Sequence, residues 1–103
     1  MGLPRRNNQE HSYIVSYDIA DQKRWRRVFK TMNGYGRWVQ LSVFHCRLDG
    51  SRRAQMAMTL ETLIDHDHDH ILIMDLGPAE AVDFAVESLG KTFAPIERRA
   101  IVI

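Results

Sequence analysis

The chain has 103 residues, of which 45% are hydrophobic and 26% charged, a composition that fits one globular domain and excludes wholesale disorder. No apolar run is long enough for a transmembrane helix, and residues 1–12 contain no apolar segment typical of a secretory signal. The single cysteine, Cys46, forms no internal disulfide and is typical of a reducing compartment. We therefore expect a cytoplasmic protein without a membrane partner.

Charge is unevenly distributed along the chain, although the net charge is only +1. Residues 1–53 contain eleven Lys and Arg against four Asp and Glu, whereas residues 54–103 contain three against nine. A basic half on a near-neutral chain can present a positive face to phosphate groups. This pattern makes nucleic acid a candidate partner, and the alternative is that the charges only keep the surface soluble.

The first half of the chain predicts a strand, a helix and a long β-rich segment. Residues 1–11 are polar and without periodicity, which indicates a flexible tail. Residues 12–19 (SYIVSYDI) predict a strand, because they are rich in β-branched and aromatic residues. A helix follows, with Asp21 as its N-cap and apolar residues at helical spacing on one face. Residues 37–48 are long for one strand and predict either one bent strand or two strands joined at a bulge.

The second half begins with another amphipathic helix. Ser51 is its expected N-cap, and apolar residues recur at helical spacing as far as Ile64. Residues 71–76 (ILIMDL) are apolar on both faces, which predicts a buried strand. The Gly77-Pro78 pair is expected to break this strand.

The C-terminal part completes the predicted fold. Residues 79–90 fit a helix or a looser turn, and residues 98–103 (RRAIVI) predict a last strand. Two helices against an antiparallel-rich sheet make an α+β layout, and βαββαβ is its commonest small form. We therefore expect a single domain over residues 12–103, with βαββαβ order and an additional C-terminal strand.

Chemistry in this chain must come from sparse features, because it contains no Gly-rich phosphate loop, paired-cysteine zinc motif or nucleophile elbow. Asp18 ends the first predicted strand on its more polar face, where a carboxylate can bind a hard divalent cation such as magnesium. One carboxylate is too few for a complete site, and a nearby two-fold axis would supply a second. The alternative is that Asp18 only caps or solvates the strand end.

The first helix carries five cations and no acid between residues 23 and 30. Arrays of this kind bind the phosphate backbone of nucleic acid without reading its sequence. The alternative is an ordinary solvated helix face. The candidate nucleic-acid-binding residues are Lys23, Arg24, Arg26, Arg27 and Lys30.

Residues 65–70 (DHDHDH) alternate three carboxylates with three imidazoles. Such a run can bind a transition metal. Because it lies between the end of a helix and the start of a strand, we favour a solvated loop without a metal role.

Several blocks together resemble the CRISPR-associated Cas-two family over about residues 12–103. The blocks are residues 13–19 (YIVSYDI), Asp21-x-Lys23-Arg24, Tyr35-Gly36 and residues 39–44 (VQLSVF). Two positions depart from the family pattern. His45 stands where a glutamate is frequent, and Arg37-Trp38 has its arginine one position earlier, which reverses its face on a strand.

The resemblance implies a ferredoxin-like protomer that forms a homodimer, in which Asp18 from the two chains faces a shared magnesium (or manganese) site. It implies partnership with the Cas-one integrase, with the dimer holding DNA during spacer acquisition in CRISPR adaptation. It also implies metal-dependent endonuclease activity, as an endoribonuclease or a DNase, with Asp18 as the catalytic residue.

Two other classes of function stay open beside the nuclease. One is a non-enzymatic dimeric scaffold that binds DNA in the integration complex and has no need of Asp18. The other is a small-molecule-binding regulatory domain, which the basic face of the first helix disfavours.

Overall fold

The computed structural model describes residues 9–90, which form one four-stranded sheet and two α-helices. In chain order the elements are β1 (His11–Asp18), α1 (Gln22–Met32), β2 (Gly36–Gln40), β3 (Val43–Leu48), α2 (Gly50–Leu63) and β4 (His70–Pro78). The strands lie in the order β2-β3-β1-β4, and every neighbouring pair is antiparallel. This confirms the α+β ferredoxin-like βαββαβ fold. The strand predicted over residues 98–103 lies outside the described residues.

One face of the sheet packs against both helices and forms the core. Alternation along β1 directs Tyr13, Val15 and Tyr17 to this face, where all three are buried. Phe44 of β3 is fully buried and meets the ring of Phe29 from α1 at a centroid distance of 5.5 Å. Both α-helices lie against this face, so within residues 9–90 the opposite face, called the open face below, has no α-helix over it.

The two helices start at aspartate caps. The Asp21 carboxylate accepts a hydrogen bond from the backbone N of Arg24 at 2.9 Å, which confirms the predicted cap of α1. The prediction for α2 is wrong by two residues, because Asp49 is the cap and Ser51 is already helical. Asp49 Oδ1 accepts from the backbone N of Arg52 at 2.7 Å.

The β-rich segment over residues 37–48 is two strands, β2 and β3, joined at residues 41–42. Leu41 has a φ of 44°, in the left-handed region, and its side chain is 73% exposed. The indole N–H of Trp38 donates to the Leu41 carbonyl at 2.7 Å and stabilises the turn. The break could not be located from the sequence, because leucine is neither a usual turn residue nor a usual left-handed one.

β4 differs from its prediction in exposure and in length. Within residues 9–90 it lies at an edge of the sheet, and Leu72 and Met74 are 46% and 41% exposed rather than buried. Gly77 does not end the strand, because a bulge lets it pair with Ser12 and its φ of 108° suits glycine. At the same end of the pair, β1 begins at His11, which pairs with Pro78 and lies inside the segment predicted as a tail.

The chain after β4 takes the looser of the two predicted forms. Residues Ala79–Ala81 make one 3₁₀ turn, and no further helix or strand is present up to residue 90. Within the described residues, no helix has the length and apolarity needed to cross a membrane.

Candidate functional site

Asp18 is the last residue of β1 and lies on the open face of the sheet. Its predecessor Tyr17 is buried in the core, so alternation along the strand directs the Asp18 side chain away from the helices. The Asp18 carboxylate is exposed and makes no hydrogen bond or ion pair with residues 9–90. Its lone pairs are therefore available to a cation.

The donor set around Asp18 fits a divalent metal only in part. A carboxylate oxygen is the ligand that magnesium prefers, and the exposed position leaves room for the waters that magnesium retains. Yet nowhere in residues 9–90 do three or more His, Cys, Asp or Glu side chains come together as a metal centre. The described part of one chain thus supplies fewer ligands than a complete metal site needs.

Four of the five predicted nucleic-acid-binding residues extend from α1 into solvent. Each is exposed, and none forms an ion pair within the described part of the chain. The buried face of α1 packs on the sheet, so these cations lie on the other side of the sheet from Asp18. They are Lys23, Arg26, Arg27 and Lys30.

Arg24, the fifth predicted residue, is engaged inside the protein. Its Nε donates to Asp69 Oδ2 at 2.7 Å and its Nη2 donates to Asp69 Oδ1 at 3.1 Å. The same carboxylate accepts from the backbone N of Ala20 at 2.9 Å and of Asp65 at 2.8 Å. The Arg24 hydrogen bonds hold the pKa of Asp69 well below its usual range, although burial opposes this shift. Asp69 therefore ties the loop after β1 to the loop before β4.

The run over residues 65–70 is only partly the solvated loop that its sequence predicts. The segment from His66 to His68 is exposed, whereas the Asp69 side chain is fully buried. Asp65 Oδ1 accepts from the backbone N of Asp67 at 2.9 Å, and this bond lowers the pKa of Asp65. The run is a turn that uses two of its carboxylates to hold its own backbone. Sequence reasoning missed the role of Asp69, because its partner Arg24 is 45 residues away.

A cavity of about 600 Å³ lies on the open face, between β2, β3 and the segment after β4, and Asp18 does not line it. The buried Ser12 hydroxyl and His45 Nε2 form a hydrogen bond at its wall. The rings of His45 and Phe84 stack at 4.0 Å, and burial lowers the pKa of His45. No local sequence signal could have found this cluster, because the register between β1 and β3 creates it.

The sequence is similar to known proteins over most of its length. The model of the family described as CRISPR associated protein Cas2 matches residues 11–82. A protein named CRISPR-associated endoribonuclease Cas2 1, from Rhodospirillum rubrum, is 69% identical over 99 residues, which are 96% of this chain and 97% of the relative. A second relative, named CRISPR-associated endoribonuclease Cas2, from Geobacter sulfurreducens, is 57% identical. That match covers 91% of this chain and 99% of the relative.

Solved structures show the same likeness. The crystal structure of Streptococcus pyogenes Cas2 at pH 6.5 has a TM-score of 0.67 to this structure and 32% sequence identity. The match covers 77% of this chain and 99% of that chain. The family model, the relatives and the solved structure each match most of this chain. The chain therefore belongs to the CRISPR-associated Cas2 family.

Proposed function

We propose that this chain is a metal-dependent endonuclease of CRISPR adaptation in the cytoplasm, with Asp18 as the catalytic metal ligand. The observation that carries the proposal is the exposed Asp18 carboxylate, which has no partner in residues 9–90 and ends the central strand β1. The names of the relatives, CRISPR-associated endoribonucleases, support the same activity. Single-stranded RNA and duplex DNA are the proposed substrates.

Magnesium or manganese is the proposed cofactor. A divalent ion of this kind activates water and offsets the negative charge of a phosphodiester. Asp18 would hold the ion at the rim of the open face, where an extended nucleic-acid strand has access. The described part of one chain brings a single carboxylate to this place, so the complete centre that we propose includes the second chain.

We further propose that the chain is a homodimer built on the open face of the sheet. Three apolar side chains support this: Ile14 is half-buried on this face, and Leu72 and Met74 are 46% and 41% exposed. Within residues 9–90, β4 pairs with another strand on one side only, and an open strand edge of this kind favours a partner strand. A two-fold axis across this face brings the two Asp18 residues toward each other.

Light scattering is expected to give about twice the 12.0 kDa mass of one chain. Met74→Glu puts a charge on the open face and should weaken association at least about tenfold, because a charge buried without a partner is costly. The matched control is Met58→Glu, since Met58 is 72% exposed on α2. A monomeric wild-type chain would exclude the dimer, and a Met74→Glu dimer as tight as the Met58→Glu dimer would place the interface elsewhere.

The exposed cations of α1 support a proposal for DNA binding. Because they lie on the far side of the sheet from Asp18, DNA can be held without involving the metal site. This separation favours a second candidate function, a dimeric DNA-binding scaffold that works with the Cas-one integrase. The proposed phosphate contacts are Lys23, Arg26, Arg27 and Lys30, and Arg24 is left out because it binds Asp69.

Reversing the charge of Arg26, Arg27 and Lys30 to glutamate is expected to abolish DNA binding at physiological salt without unfolding the domain. The slope of log affinity against log salt measures released counterions, at about 0.9 per phosphate contact on duplex DNA. Fluorescence anisotropy over a salt series measures both quantities. The control is Ala54→Glu with Gln55→Glu, which adds acid to exposed positions of α2. An unchanged affinity of the triple variant would place DNA elsewhere on the protein.

A nuclease assay with and without magnesium separates the two candidate functions. The purified chain is incubated with single-stranded RNA or with duplex DNA, and the control contains a chelator. Cleavage that requires the ion supports the endonuclease. Binding of DNA and of the integrase without cleavage in any of these conditions would favour the scaffold.

A further inference from the structure

A histidine lies directly opposite Asp18 in the sheet. β1 and β4 pair antiparallel with Asp18 facing His70, and the two side chains therefore lie on the same face. Cross-strand neighbours of this kind have their Cβ atoms about 4.5–5.5 Å apart, a separation that a single ion can bridge. Both side chains are exposed, and neither makes a polar contact within residues 9–90.

Four hydrogen bonds end on the Asp69 carboxylate, and we call this arrangement the Asp69 clamp. The clamp holds the backbone that follows Asp18 and the backbone that precedes His70. The Asp69 carboxylate accepts from the backbone N of Ala20, two residues after Asp18, and Asp69 itself directly precedes His70. The bidentate contact with Arg24 keeps that carboxylate in place. The backbone positions of Asp18 and His70 are thus held opposite each other, as the framework of a preorganised metal site requires.

We propose that His70 is a second protein ligand at the Asp18 metal site, so that each chain offers one oxygen and one nitrogen donor. This inference rests on the metal-dependent function proposed above. Two Asp18 carboxylates alone give an ion only two protein ligands, whereas the dimer with both His70 residues gives it four.

A nitrogen donor changes which ion the site prefers. Magnesium demands oxygen ligands and keeps its waters, whereas imidazole is a good ligand for first-row transition ions. His70 therefore moves the preference of this site from magnesium toward manganese.

Isothermal titration with manganese, and separately with magnesium, tests the role of His70. His70→Asn should weaken manganese binding at least about tenfold, since even indirect ligand partners commonly cost this much, and should leave magnesium affinity nearly unchanged. His70→Asp replaces nitrogen by oxygen and should recover ion binding with a preference for magnesium. The matched control is His66→Asn, an exposed histidine of the same run.

The outcomes separate this inference from the function on which it rests. If Asp18→Asn weakens manganese binding and His70→Asn does not, His70 is no ligand while the Asp18 site stands. If neither variant changes the binding of either ion, the metal site itself is wrong. Equal losses for His66→Asn and His70→Asn would show that manganese binds the histidine run and would overturn the inference.

Discussion

Replacing Asp18 by asparagine is expected to reduce metal-stimulated cleavage by roughly two orders of magnitude or more, the size typical for losing one group that acts on a transition state. Asparagine keeps the shape of the side chain but removes the negative charge that holds a divalent ion. The fold should be unaffected, because the Asp18 side chain is exposed and has no partner in residues 9–90. Initial rates at several magnesium concentrations measure the loss.

The control for this variant is Asp83→Asn, another exposed carboxylate, which should cleave like the wild type. Manganese titration of the Asp18→Asn protein should show weakened binding in parallel with the lost activity. Full metal-stimulated cleavage by Asp18→Asn would remove Asp18 from the catalytic machinery. If the wild type cleaves nothing and the variant still binds DNA, the scaffold function is the one to retain.

Asp69→Asn is expected to lower the melting temperature by several degrees Celsius, the largest loss for any single carboxylate in the run over residues 65–70. Four hydrogen bonds end on the two carboxylate oxygens of Asp69. Asparagine has only one acceptor oxygen, and its amide N–H groups cannot accept a hydrogen bond from Arg24. The change also leaves the Arg24 guanidinium without its buried counter-charge. Thermal unfolding followed by circular dichroism measures the loss at neutral pH.

The stability that Asp69 contributes should depend on pH with a definite sign. Its pKa in the folded protein is lowered from the ordinary value of 3.8, first by the Arg24 hydrogen bonds. The unfolded chain therefore takes up protons first, and the contribution is complete above 3.8 and declines as the pH falls below that value. Between pH 6 and pH 3 the wild type should lose more stability than Asp69→Asn.

Asp67→Asn is the matched control for this clamp, because Asp67 belongs to the same run and its side chain is exposed. It should melt and respond to acid like the wild type. If Asp69→Asn behaved in the same way as Asp67→Asn, the clamp would not stabilise the fold. The placement of Asp18 beside His70 would then lack its structural support.

Features that depend on local periodicity were predictable from the sequence. The alternation of buried and open positions in β1, the Asp21 cap of α1 and the apolar face of that helix all appear as predicted. Each depends on residues a few positions apart, where side-chain direction follows directly from the backbone repeat. The exposed position of Asp18 at the end of β1 follows from the same rule.

Features that depend on pairing between distant segments were decided only by the tertiary structure. The Arg24–Asp69 ion pair makes an expected phosphate ligand part of the fold, and it buries a residue of an expected solvated loop. In the part of the chain that the structure describes, the apolar β4 lies at an edge of the sheet because the strand order puts it beside β1 alone. His70 meets Asp18 through the register of those two strands. The sequence by itself determined which residues alternate along each element, while strand order and register determined which of them meet, because only long-range packing selects one pairing among many.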